Sequence, residues 1–129
     1  MIRRSIRAIA AGAALLAAAT GAAQAQPPRN QCFLVSQFEN WRGGGDRTMY
    51  IRVSGNQFYR LEMANNCSEL VSPGATLINR FRGSSVCSPL DWDIRVKDFP
   101  GSIAVPCIVK TMTPLSPAEV AALPKKQKP

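Results

Sequence analysis

The chain has 129 residues, with 16 lysines and arginines against 8 aspartates and glutamates, a formal net charge of +8 and no histidine. The lack of histidine excludes the Ser-His-Asp and Cys-His catalytic arrangements and histidine-ligated zinc sites. It also removes the side chain most used for proton transfer near neutral pH, so we expect a protein that is not an enzyme and needs no cofactor or metal.

The first 25 residues have the pattern of a secretory signal peptide. The basic stretch MIRRSIR precedes an apolar run of small residues, which AQA ends at Ala25. A membrane anchor is the weaker interpretation, because the run is only weakly apolar and shorter than the roughly 20 residues of a spanning helix. We predict cleavage after Ala25, export to the periplasm or the medium, and no transmembrane span in the mature chain.

After cleavage, the positive and negative charges of the mature chain nearly balance, except for a basic stretch at its C-terminal end. Three arginines precede Ala25, and Lys125, Lys126 and Lys128 lie among the last five residues. This distribution is not the clustered basic face of a nucleic-acid-binding protein. We predict a flexible lead-in at 26–31, a single domain at 32–123 and a basic, disordered tail at 124–129. An anionic envelope component or another periplasmic protein is the expected kind of partner.

The mature chain begins with a series of short strands. CFLVSQF predicts a first strand, RTMYIRV alternates with a period of two, and FYRLEM predicts a returning strand. Gly55-Asn56 between the last two indicates a hairpin, because both residues tolerate positive φ. The side chains predicted to face inward are Met49, Ile51, Val53, Tyr59, Leu61 and Met63.

The second half continues the pattern after the predicted loop ANNCSELVSPGA. TLINRFR, VCSPLDWDIRV and IAVPCIVK predict three more strands, and Pro106 within the last indicates an edge position. SPAEVAAL predicts a helix with Ser116 as N-cap and Glu119 closing a capping box. The fold class is therefore mainly β: a small antiparallel barrel or sandwich of five to six strands, two disulfides and a short C-terminal helix.

The four cysteines predict disulfides. Cys32, Cys67, Cys87 and Cys107 are an even number in an exported chain, and none forms the close C-x(2–4)-C pair of a zinc or redox site. Three connectivities are possible. We favour Cys67–Cys87, which would pin the middle loop, and Cys32–Cys107, which would join the first strand to the last.

The run Gly43-Gly44-Gly45 is not a phosphate-binding loop. Asp46 follows it directly, no Lys-Ser/Thr pair completes a P-loop motif, and the next element is a strand rather than a helix. We therefore predict a pliable linker at this position.

Two groups of polar side chains are candidate surface sites. Asp91 and Asp93 flank Trp92 and are predicted to share a strand face, where they would hold a cation, act as acid and base, or form the solvated side of the strand. Tyr50, Arg52 and Arg60 are predicted to form a sugar- or anion-facing patch, or to serve sheet pairing only.

The segments LSPAEVAALPKKQKP, CSPLDWDIRV and DRTMYIRV resemble a family of small exported bacterial proteins of unknown function. The likeness extends over nearly the whole mature part: a Cys-Phe start, four cysteines in order and an L-[ST]-P-x-E-x-x-A-L-P tail. The matching positions are Asp46, Arg47, Thr48, Tyr59, Leu61, Cys67, Cys87, Asp91 and Cys107. The glycine run departs from the family's shorter acidic turn. The resemblance implies a four-cysteine framework and an exported location, and no activity.

These observations favour an exported, non-catalytic envelope or interaction module. The first alternative is a small secreted inhibitor that displays a rigid loop, either Arg42 to Asp46 or Cys67 to Cys87. The second alternative is an enzyme that uses the carboxylates of Asp91 and Asp93.

Overall fold

The computed structural model describes residues 32–129, so the predicted signal peptide and lead-in lie outside the described part of the chain. The strands in chain order are β1 (Phe33–Leu34), β2 (Phe38–Gly45), β3 (Thr48–Val53), β4 (Gln57–Met63), β5 (Thr76–Phe81), β6 (Ser85–Val86), β7 (Trp92–Lys97), β8 (Val105–Cys107) and β9 (Val109–Pro114). The helix α1 (Pro117–Ala122) follows. The predicted mainly-β class is confirmed.

Three antiparallel sheets build the fold. The largest has the order β2-β3-β4-β9, the second the order β5-β7-β8, and β1 pairs with β6 in a small third sheet. None of these sheets is closed on itself, so the arrangement resembles a sandwich rather than a barrel.

The core lies between the two larger sheets. All six side chains predicted to face inward on β3 and β4 are buried, and so are Trp92, Ile94 and Val96 on β7. The Trp92 ring also contacts three phenylalanines, Phe33, Phe38 and Phe81, with ring centroids 5.8, 5.8 and 5.3 Å away. The period-two alternation therefore predicted the inner faces correctly, because a pleated strand sends alternate side chains to opposite sides.

The hairpin between β3 and β4 also agrees with the prediction. Gly55 and Asn56 both have positive φ, 78° and 60°. At the other end of the domain, the Glu119 backbone amide donates to the Ser116 hydroxyl over 3.2 Å, and the Ser116 amide donates to the Glu119 carboxylate over 2.5 Å. The predicted capping box thus begins α1.

The prediction of one strand over CFLVSQF is wrong. A 3-10 turn at Val35–Gln37 separates β1 from β2. The backbone amide of Leu34 donates to the Gln37 side-chain oxygen over 2.8 Å, which closes the turn. The prediction of a glycine linker is also wrong: β2 extends through the run, and Gly43 pairs with Met49 of β3.

The favoured disulfide pairs, Cys67–Cys87 and Cys32–Cys107, are wrong as well. The bridges are Cys32–Cys87 and Cys67–Cys107. Strand pairing explains the first, because Phe33 of β1 faces Val86 of β6 and the flanking cysteines therefore meet. The second links the segment after β4 to β8, and so joins the two larger sheets.

The predicted last strand, IAVPCIVK, is divided at Ile108. Its first part is β8, which lies at the edge of its sheet and contains Pro106, as the proline indicated. The Asn65 side chain lies along this edge: its amide donates to the Pro106 carbonyl over 2.9 Å, and its oxygen accepts from the Ile108 amide over 2.8 Å. Asn65 therefore completes the hydrogen bonding of the edge.

The prediction of a disordered tail is corrected too. Lys125–Gln127 forms a 3-10 turn against β2. The Gln127 side-chain amide donates to the Gly44 carbonyl over 3.3 Å, and the Lys128 ammonium donates to the Ala121 carbonyl over 3.3 Å. The tail thus returns to the first sheet.

Candidate functional site

A groove of about 520 Å³ lies beside the outer edge of β2, and we call it the β2 groove. One wall is β2 itself, from Trp41 to Gly44. The second wall is the segment from Leu70 to Ala75, and the tail closes one end with Lys126 and Gln127. Three stretches that are distant in sequence therefore form one concavity.

The glycine run brings these walls together. A Cβ atom built on Gly43 would overlap the backbone carbonyl of Leu70, and one built on Gly44 would lie 2.5 Å from the Tyr50 ring. Both distances are shorter than a Cβ atom tolerates. Glycine at position 43 therefore lets β2 approach the Ser68–Val71 turn, and glycine at position 44 leaves room for the Tyr50 ring. The run serves close packing rather than flexibility.

The lining of the β2 groove combines an aromatic ring with positive charge. The half-buried Trp41 packs partly against the core, and Arg42 and Lys126 lie at the groove. The Arg42 guanidinium donates to the Trp41 carbonyl over 3.0 Å. Among residues 32–129, neither cation lies within ion-pair distance of a carboxylate, and the lining contains no acidic side chain. The groove is therefore electropositive.

A hydrogen bond from Ser72 to Asp98 holds the second wall of the groove, the segment from Leu70 to Ala75, in place. The Ser72 hydroxyl donates to the Asp98 carboxylate over 2.9 Å. Gly74 packs against the same segment, since a Cβ built there would lie 2.8 Å from the Asp98 carbonyl. The wall is thus anchored to the end of β7, and the Asp98 carboxylate is already engaged.

The predicted patch of Tyr50, Arg52 and Arg60 lies on the outer face of the first sheet. Tyr50 is in register with Arg42 on one side and with Arg60 on the other. Arg52 pairs with Glu39 at 2.9 Å, and Arg60 pairs with Glu62 at 3.3 Å. The three side chains do share a face, but the ion pairs occupy both arginines, and the row continues through Arg42 to the β2 groove.

Asp91 and Asp93 do not share a strand face as predicted. Asp91 belongs to a 3-10 turn, where its carboxylate accepts hydrogen bonds from the backbone amides of Cys87 at 3.0 Å and Ser88 at 2.9 Å. These bonds stabilise the carboxylate and lower the pKa of Asp91 below its ordinary value. Asp93 lies on β7 with its carboxylate 3.9 Å from the Arg95 guanidinium. The two acids therefore have separate structural partners.

The four cysteines all serve as bridges and not as ligands. Cys67 and Cys107 are fully buried, whereas Cys32 and Cys87 are exposed. Residues 32–129 hold no cluster of three or more potential metal-ligating side chains. No helix in the same part of the chain has the length and apolar character needed to cross a bilayer.

Residues 1–129 match the model of a family described as a family of unknown function, DUF6491. The chain belongs to this family. Membership in DUF6491 agrees with the expectation of a family of unknown function drawn from the tail and the cysteine order, and it assigns no activity. Searches of curated proteins and of solved structures found no match.

Sequence reasoning missed the main residues of the β2 groove in this DUF6491 member. Trp41 and Lys126 were not predicted as site residues, and Arg42 appeared only at the end of a candidate inhibitor loop. The available signal was Trp41-Arg42 directly before three glycines, an aromatic and a cation beside a stretch suited to close approach. Nothing in the local pattern indicated that Leu70 or Lys126 would join them.

Proposed function

We propose that this protein is an exported, non-catalytic binding module that holds an anionic glycan of the cell envelope in the β2 groove. The observation that carries the proposal is the groove lining, in which Trp41, Arg42 and Lys126 meet without an acidic side chain among the described residues. Two bridges in a small domain support export, because disulfides persist in oxidising compartments.

The chemistry of the three side chains fits a charged sugar polymer. A guanidinium binds a carboxylate or phosphate through two parallel hydrogen bonds, and an ammonium adds a mobile point charge. An indole offers an apolar surface to the flat face of a sugar ring and keeps a polar edge for hydrogen bonding. Because the groove is open to solvent, a chain-like ligand can extend beyond it.

The lowered pKa of Asp91 and the separate position of Asp93 support a non-catalytic role. A general acid at neutral pH needs a raised pKa, whereas hydrogen bonds to backbone amides lower the pKa of Asp91. Asp93 is paired with Arg95 and lies on a different element from Asp91. The pair is thus poorly arranged for acid and base chemistry.

Binding of purified protein to anionic and neutral envelope polysaccharides, measured by calorimetry, tests the proposal. The double variant Arg42→Gln/Lys126→Gln removes both groove charges, and Arg47→Gln/Lys110→Gln removes the same charges at exposed positions outside the groove. We expect the groove variant to lose at least about tenfold in affinity, or about 1.4 kcal/mol, and the control to lose little. Equal losses, or no binding by the unaltered protein, would contradict the proposal.

A secreted inhibitor is a second candidate, supported by a different surface. The segment between β7 and β8 exposes two large apolar side chains four residues apart, Phe99 at 60% and Ile103 at 88%. Of the two loops considered from sequence, the stretch from Arg42 to Asp46 is mostly strand and displays no loop. A stoichiometric complex with a periplasmic hydrolase, abolished by Phe99→Ser/Ile103→Ser, would favour this candidate over glycan binding.

A further inference from the structure

The strand β5 forms an open edge of the three-stranded sheet. The backbone amide of Arg82 donates to the carbonyl of Asp91 over 2.9 Å, so these two residues form a hydrogen-bonded pair. Such pairs alternate along an antiparallel ladder, and Leu77, Asn79 and Phe81 therefore direct their N–H and C=O groups away from β7. Within residues 32–129, none of these backbone groups makes a hydrogen bond to another element.

Among the described residues, each of the other long edges has a neighbouring group from another part of the chain. Asn65 bonds along the edge of β8, and the Gln127 side chain donates to Gly44 on β2. The edge of β9 ends in Pro114, which has no N–H to offer, and the Pro89–Asp91 turn packs beside it. Because an uncovered edge pairs readily with another strand, proteins usually protect it. The unpaired N–H and C=O groups along β5 are therefore available to pair with another strand.

The sequence of β5 is complementary to itself when two copies run antiparallel. A two-fold axis at Asn79 places Leu77 opposite the partner's Phe81 on the inner face, and Ile78 opposite the partner's Arg80 on the outer face. Leu77 and Phe81 already pack partly against the core, and this pairing would cover more of their apolar surface. No residue of β5 then directly faces a like charge, which would destabilise the pairing.

We propose that two copies of this chain associate through their β5 strands and form one continuous six-stranded sheet with the order β8-β7-β5-β5-β7-β8. Such an interface is isologous, as in most homodimers, because the same strand contributes both halves. Asn79, which lies on the two-fold axis, is held in place because the Trp92 indole donates to its side-chain oxygen over 3.1 Å. Asp93 lies opposite Arg80 in the same chain, and its carboxylate pairs with Arg95 at 3.9 Å.

The proposed pairing of Ile78 with the partner's Arg80 predicts opposite effects on dimer stability for two substitutions of Ile78. Ile78→Glu places a carboxylate opposite the partner's Arg80, whereas Ile78→Arg places two guanidiniums opposite each other, and each change occurs twice in the dimer. We expect sedimentation equilibrium of the disulfide-bonded chain to show a monomer–dimer equilibrium. Ile78→Arg should weaken it about fivefold or more, and Ile78→Glu should maintain or strengthen it.

A matched control separates this effect from general charge and folding effects. Thr113→Arg adds the same charge at an exposed position of β9 and should leave the dimer constant unchanged. Circular dichroism checks that each variant retains its strands. A monomer at every concentration of the unaltered chain would overturn the proposal, and so would equal dimer constants for the Glu and Arg variants at Ile78.

Discussion

The backbone carbonyl of Leu70 lies where a side chain on Gly43 would begin. This contact joins the Ser68–Val71 turn to β2, and it therefore sets the distance between the two walls of the β2 groove. A residue with a Cβ atom at this position would force the turn away from the strand, so local backbone packing and the shape of the candidate site depend on the same glycine.

Gly43→Ala is expected to destabilise the protein by about 1–3 kcal/mol, because the added methyl group overlaps a backbone atom that cannot rotate away. The measurement is the free energy of unfolding in urea. Gly45→Ala is the matched control, since a Cβ there meets nothing within 4 Å. We expect the control to keep or slightly raise stability, by at most about 1 kcal/mol. Equal effects at both positions would contradict this account of the contact.

Asp91→Asn tests the charge of the carboxylate that accepts from Cys87 and Ser88. The folded state lowers the pKa of Asp91 below its ordinary value of 3.8, so its charge stabilises the fold fully above that pH. This contribution is lost as the pH falls through the folded pKa. We expect the variant to be less stable than the unaltered protein at neutral pH, with the gap closing in strong acid, as measured by urea unfolding across pH.

Asp93→Asn is the control for this pH dependence. The Asp93 carboxylate accepts no hydrogen bond from the described residues and has only its pair with Arg95. A surface pair of this kind contributes little, about 0–1 kcal/mol. A stability gap for Asp91→Asn that stays constant from neutral to acid pH would show that its charge is not the stabilising feature.

The two disulfides are expected to be reduced in a fixed order. Cys32–Cys87 is exposed, whereas Cys67–Cys107 is buried, and thiol–disulfide exchange requires access to the sulfur. Mild dithiothreitol under native conditions should open Cys32–Cys87 first, as followed by alkylation and mass spectrometry. In denaturant both should open together. A non-reducing peptide map that joins Cys67 to Cys87 would refute the described pairing.

Asn65→Ala is expected to lower the free energy of unfolding by about 1–3 kcal/mol. The substitution removes the donor to Pro106 and the acceptor for Ile108, and each such hydrogen bond has a net value of about 0.5–1.5 kcal/mol. Asn66→Ala is the neighbouring control, because the exposed Asn66 side chain makes no hydrogen bond within the described residues. Similar losses at both positions would show that the β8 edge does not depend on Asn65.

Local pattern predicted the parts of the fold that local physics determines. The alternation at Met49, Ile51 and Val53 sends these side chains to one face of a strand, wherever the strand pairs. The capping box at Ser116 likewise depends only on residues three apart. Both predictions are therefore confirmed without knowledge of the tertiary structure.

The disulfide pairing and the β2 groove were not predicted because both depend on contacts between residues that are distant in sequence. The disulfide pairing depends on β1 lying beside β6, and no local signal indicates which strands become neighbours. The β2 groove has the same origin, since Trp41, Leu70 and Lys126 meet only after the sheet has formed and the tail has returned to it. Asp91 was misplaced because Pro89 begins a turn that interrupts the alternation before β7.

The contact between Gln127 and Gly44 has a practical consequence for handling the protein. Pro129 is buried, so an affinity tag or fluorescent fusion attached there would start from a packed position and would disturb the contact of Gln127 with β2. A label at that position would alter the end of the β2 groove that Lys126 and Gln127 form. Detection handles therefore belong on the exposed hairpin at Gly55 and Asn56, which lies near the Phe38 end of β2 and away from Gly44.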